Sequence, residues 1–118
     1  MKTAAEMFAD AKTRIAQVTP VDAIAKRASD PGVVLIDVRE DREWNLGHVE
    51  GAVHMSRGTI ESKIDTAVPR EATVILYCAS GNRSALAAES LSAMGYRNVS
   101  SMSGGFRGWV DAGGEVEG

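Results

Sequence analysis

The chain contains one cysteine, Cys78, and an arginine stands close behind it in C-A-S-G-N-R-S, residues 78–84. A cysteine becomes a nucleophile when its surroundings favour the thiolate. The sequence around Cys78 offers that setting. T-V-I-L-Y-C, residues 73–78, is an apolar, β-branched run that reads as a buried strand. S-A-L-A-A-E-S-L-S-A-M, residues 84–94, reads as a helix closed by Gly95. Cys78 therefore ends a strand just before a helix N-terminus. A turn of this kind aims several backbone N–H groups inward and makes a nest for an anion, to which the helix adds partial positive charge. Gly81 permits a positive φ, Arg83 brings a planar permanent cation for an oxyanion, and Ser84 caps the helix or donates its hydroxyl to the sulfur. The bland alternative is a cysteine that merely fills core space. The order strand, Cys, glycine loop, Arg, helix favours chemistry.

The rest of the chain has to hold that loop. V-V-L-I-D-V, residues 33–38, is a second apolar run, with a short strand expected at 51–55 and a last one at 97–102. Residues 3–14 read as a helix, with Ala4, Met7, Phe8, Ala11 and Ile15 recurring at helical spacing as a stripe that needs a surface to pack on. A short extended piece follows at 16–18. Thr19 and Pro20 start a helix that runs to about Ser29 and stops at D-P-G. A further helix is expected at 59–65, and F-R-G-W-V-D-A-G-G reads as a short final helix with a loose end. Strands alternating with helices predict one α/β domain, a mostly parallel five-stranded sheet with helices on both faces. Such sheets carry their sites at the carboxyl ends of the strands. Residues 1–15 form a helical extension and 16–118 the domain proper.

Composition narrows the function classes. The chain has 118 residues, 44% hydrophobic and 25% charged, as expected of one globular domain. One Cys forbids an internal disulfide, and two His beside it give no basis for a structural zinc site. A net charge of −3 without a basic run argues against nucleic acid. No apolar run is long enough to span a membrane, and Glu6 and Asp10 interrupt the N-terminal segment as a targeting signal. A reducing, cytoplasmic setting is expected.

Four motifs in this order resemble a single-domain rhodanese, a sulfurtransferase: L-I-D-V-R-E at 35–40, E-W-N-L-G-H-V-E-G-A-V-H at 43–54, C-A-S-G-N-R-S at 78–84 and S-G-G-F-R-G-W at 103–109. The resemblance implies the three-layer rhodanese-like fold. It also implies a Cys78 persulfide that takes sulfane sulfur from thiosulfate or another persulfide. The backbone of Ala79, Ser80, Gly81, Asn82 and Arg83 would then cradle the sulfur and the donor's oxyanion. The acceptor would be cyanide in an assay, or a thiol or thioredoxin-like protein in the cell, with no cofactor and no metal. Cysteine-dependent phosphatases and arsenate reductases have similar loops, but theirs are one residue longer, which suits a tetrahedral phosphate. Two other readings stand beside the enzyme: a non-catalytic rhodanese-like binding or regulatory module, and a redox sensor that oxidises Cys78. Ala79 departs from the Arg or Lys that follows the cysteine in many thiosulfate-using relatives, so the donor stays open.

Other residues weigh less. Arg57 follows a strand and is a candidate for substrate contact. Arg39 is expected to hold structure, paired with a nearby carboxylate such as Glu43. His48 and His54 are read as structural, Trp44 and Trp109 as packing anchors, Gly104 and Gly105 as a tight turn beside the site, and Met55, Met94 and Met102 as core fillers.

Overall fold

The computed structural model describes all 118 residues. The first helix, α1, covers Ala4–Arg14, and β1, Ala16–Val18, follows it. Next come α2 (Pro20–Ser29), β2 (Val34–Asp37), α3 (Asp41–Asn45), β3 (His48–Val49) and β4 (Val53–His54). The second half contains α4 (Ile60–Ala67), β5 (Thr73–Tyr77), α5 (Asn82–Ala93), β6 (Asn98–Met102), α6 (Gly105–Asp111) and β7 (Val116–Glu117). Five strands form one parallel sheet in the order β1-β6-β5-β2-β4. β5, which carries Cys78 at its end, is the central strand, bonded to β6 and β2 on either side.

Side-chain parity divides the core into two layers. From β5, Val74, Leu76 and Cys78 pack with Ile60 and Ile64 of α4 and Ala87, Ala88 and Leu91 of α5. The alternate residues, Ile75 and Tyr77, pack with Ala23 of α2 and Trp109 of α6. A strand buried on both faces has no solvent side to carry polar residues, which is why T-V-I-L-Y shows no polar alternation. Parity continues past the strand end, so Cys78 faces the α5 layer as Leu76 and Val74 do.

The helix starts follow local chemistry. Thr19 caps α2 by accepting from the Asp22 amide, with Pro20 at the first helical position. Thr3 and Glu6 make a reciprocal capping box on α1. The α1 stripe is only partly covered within the chain: α1 lies along α5 with Ala11 buried and Arg14 paired to Glu89, while Phe8 is half-buried and Ala4 and Met7 stay exposed.

Three expectations are corrected. Helix α5 begins at Asn82, two residues ahead of the expected start, because Gly81 at φ +105 turns the chain in one step. Residues 41–45, too short a stretch to show a period, form α3, whose first turn is closed by the Glu40 amide donating to Glu43. The C-terminal end is not loose: β7 pairs antiparallel with β3 in a small second sheet.

Candidate active site

The site starts from the turn after β5. Gly81 takes a left-handed conformation and the chain folds back over Cys78. The Gly81 amide donates to Cys78 Sγ at 3.1 Å and the Ser84 amide donates at 3.4 Å. Ser84 Oγ lies 3.5 Å from the same sulfur. Of the two roles open to Ser84, the structure selects the sulfur: the α5 N-terminus has no side-chain cap. Ser84 Oγ also lies 2.7 Å from Ser101 Oγ. A thiolate only accepts, so Ser84 donates to Sγ and Ser101 donates to Ser84.

Electrostatics follow from this geometry. Cys78 is 1% exposed, and burial alone would push its thiol up. The Ser84 hydroxyl and the amides of Ser84, Ser80 and Gly81 outweigh burial and hold the thiol below its ordinary range. The twelve-residue helix α5 begins at the sulfur and aims its positive end at it. A buried sulfur with converging N–H and O–H donors is a site for an anionic sulfur species.

Arg83 lies in the first turn of α5 and makes a two-pronged pair with Glu43 of α3, at 2.7 and 3.0 Å. This pair holds the Glu43 carboxyl down at about 2, chiefly through the Arg83 hydrogen bonds. The guanidinium also feels the Cys78 thiolate, though its hydrogen bonds go to Glu43. Asn82 accepts from Lys12 Nζ at 2.8 Å, which ties the loop to α1. Ala79 and Ser80 line a cleft of about 660 Å³ together with Arg39 and one side of α6. The Phe106 amide donates to the Cys78 carbonyl at 2.8 Å, so α6 is pinned to the loop.

The other candidates are placed as follows. Arg57 lies at the expected sheet edge, its amide donating to Val38, but its guanidinium binds Glu61 at 2.8 Å and Ser90 at 3.5 Å. It does not line the cleft beside Ala79 and Ser80. Arg39 is held structurally, and among the nearby carboxylates its partner is Asp37; it also donates to the Gly47 carbonyl at 2.6 Å and lies over Phe106. His48 and His54 both stack on Trp44 and hydrogen-bond to the carbonyls of Trp44 and Arg39. Those contacts tie α3 to β3 through His48 and to β4 through His54.

Sequence reasoning missed Ser101 and the role of Glu43. Ser101 did leave a signal. It sits on β6 with the parity of buried Val99, and a polar residue at a buried strand position needs a partner. Glu43 left none, since its arginine is forty residues away.

Comparison with known proteins agrees with this geometry. The Rhodanese-like domain family matches residues 20–112. The thiosulfate sulfurtransferase GlpE of Tolumonas auensis is 37% identical over 67% of this chain and 74% of its own. The thiosulfate:glutathione sulfurtransferase of Saccharomyces cerevisiae is 34% identical over 73% of this chain and 70% of its own. Among solved structures, a Rhodopseudomonas palustris protein of unknown function, described as a "Possible Tyrosine Phosphatase", is 36% identical with a TM-score of 0.88. That match covers 99% of this chain and 96% of that one. The rhodanese-like domain of Anabaena Alr3790 is 25% identical with a TM-score of 0.79, covering 86% and 78%. With a buried thiol held below its ordinary range at the end of a central parallel strand and relatives of this kind, the chain belongs to the rhodanese-like domain family as a rhodanese-type sulfurtransferase.

Proposed function

We propose that Cys78 carries sulfane sulfur as a persulfide between a donor and a thiol acceptor. The observation that carries this reading is the convergence of the Gly81 amide, the Ser84 amide and the Ser84 hydroxyl on one buried sulfur. With thiosulfate, the Cys78 thiolate attacks the sulfane sulfur. The donor's S–S bond breaks and sulfite leaves with the electron pair. A thiolate acceptor then attacks the outer sulfur of the persulfide, and the pair returns to Sγ. Neither half needs an outside oxidant, a metal or a cofactor.

The backbone from Ala79 to Arg83 forms the cradle, Ser84 supplies the hydroxyl donor, and Glu43 holds Arg83 in place. Ala79 brings no cation beside the sulfur, so thiosulfate and small persulfides both remain donors under this reading. With no second cysteine, the sulfur cannot be released by an internal disulfide. The acceptor comes from outside: cyanide in the assay, a small thiol such as glutathione, or a thioredoxin-like protein. A reducing, cytoplasmic compartment suits a free thiol of this kind. No helix is long and apolar enough to cross a membrane. Residues 1–15 serve as an extension that buttresses α5 through the Lys12–Asn82 and Arg14–Glu89 contacts.

The test is intact mass after incubation with thiosulfate or a small persulfide. The chain should gain one sulfur and Cys78→Ser none; failure to take up sulfur from any sulfane donor would leave a binding module as the better reading. The name of the Rhodopseudomonas palustris relative raises a phosphatase reading. Four residues between Cys78 and Arg83 close a smaller ring than a phosphate cradle needs. Turnover of an aryl phosphate that disappears in Cys78→Ser would favour that reading.

A further inference from the structure

The cleft beside the loop is larger and differently charged than a small inorganic donor requires. Its volume of about 660 Å³ lies in the range that holds small organic ligands. One wall is Ala79 and Ser80, next to the buried sulfur. The facing wall is α6, whose side chains form two rows. Phe106 and Val110 make an apolar row, and Arg107 and Asp111 make a charged one. Each pair is spaced i, i+4, so its members are neighbours on the helix surface.

The charged row has no partner within the chain. Arg107 and Asp111 are exposed, and neither takes part in an ion pair with the other or with any other residue. An arginine that precedes an acid by four residues is the weaker orientation for a helix pair, which leaves both groups available. Arg39 also lines the cleft, but Asp37 neutralises it. The cleft thus presents one free cation and one free anion beside an apolar strip. A simple anion would meet Asp111 as well as Arg107.

The geometry points to this cleft as the acceptor subsite for a zwitterionic thiol, a small molecule of the amino-acid or short-peptide class. Its carboxylate pairs with Arg107, its ammonium pairs with Asp111, and its carbon chain lies over Phe106 and Val110. The thiol end then reaches past Ala79 and Ser80 to the persulfide. Its thiolate attacks the outer sulfur, the bond between that sulfur and Sγ breaks, and Cys78 leaves as the thiolate. The product is the acceptor's own persulfide, and no net oxidation occurs. The transfer step rests on the sulfurtransferase reading above; the binding step does not.

Two measurements separate them. In the first, S-methylglutathione, a zwitterion that cannot accept sulfur, is titrated into the whole chain and into Arg107→Gln and Asp111→Asn by calorimetry. Binding should weaken roughly fivefold in each variant, as expected for one partly exposed ion pair. In the second, the sulfur-loaded chain is discharged by glutathione or by 2-mercaptoethanol, and the ratio of the two rates should fall by a similar factor. Wild-type and variant chains that bind S-methylglutathione alike, or a wild-type chain that does not bind it, would overturn the subsite. A chain that binds it in an Arg107-dependent way but never loads sulfur would refute the transfer reading and leave the subsite standing.

Discussion

Replacing Ser84 with alanine should reduce the thiolate form of Cys78. Ser84 contributes two donors to the sulfur, and the substitution removes only the hydroxyl, at 3.5 Å, while the amide at 3.4 Å remains. A hydrogen bond to a charged acceptor is worth about 1.5–3 kcal/mol, and this long contact to sulfur belongs below that range, at about 1 kcal/mol. That energy corresponds to roughly a fivefold change in an equilibrium. The thiolate fraction at a fixed pH on the acid side of the titration should therefore fall about fivefold. The assay is the thiolate ultraviolet absorbance followed against pH, with Cys78→Ser as the blank. Sulfur uptake from thiosulfate should slow in parallel. The substitution also leaves the buried Ser101 hydroxyl without its partner, at a stability cost of about 1–2 kcal/mol. Removing both hydroxyls, in Ser84→Ala with Ser101→Ala, should recover part of that stability without recovering the thiolate. A titration in Ser84→Ala that overlays the unmodified chain would refute the donor assignment.

Glu43→Gln should destabilise the chain at neutral pH but not in acid. A carboxyl held at about 2 rather than 4.5 contributes fully above about pH 4.5, and the contribution disappears as pH falls towards 2. Taken at full value the shift is worth about 3 kcal/mol. With the two side chains 33% and 30% exposed, we expect about 1–2 kcal/mol by urea unfolding at pH 7. An equal deficit at pH 3 and pH 7 would count against the pair. Gly105→Ala should cost about 3 kcal/mol or more and abolish sulfur uptake, because its Cβ would collide with the Cys78 carbonyl oxygen and the Ala79 backbone at a φ of +56. Gly58→Ala, with nothing within 4 Å, is the control and should leave the melting temperature nearly unchanged. Tyr77→Phe removes the acceptor of the buried Val49 amide and should cost about 1–2 kcal/mol in thermal unfolding, without changing the thiolate titration.

The local features were legible because short-range chemistry sets them. The Thr19 cap, the largely apolar runs of β2 and β5 and the glycine after Cys78 each act within a few residues. Five-residue α3 and two-residue β3 and β7 were not legible, since elements that short have no period to detect. β7 exists only because β3 is there to pair with it.

The sequence by itself determined the α/β class, the place of Cys78 at a strand end and the four-residue loop to Arg83. All three follow from neighbours in the chain. Only the tertiary structure decided where the polar groups go. It turned Arg83 to Glu43, Arg39 to Asp37 and Arg57 to Glu61 and Ser90. It set Ser101 behind Ser84 and brought the charged row of α6 to the cleft beside Ala79. A long side chain can reach several partners, and which one it meets depends on how the helices pack against the sheet.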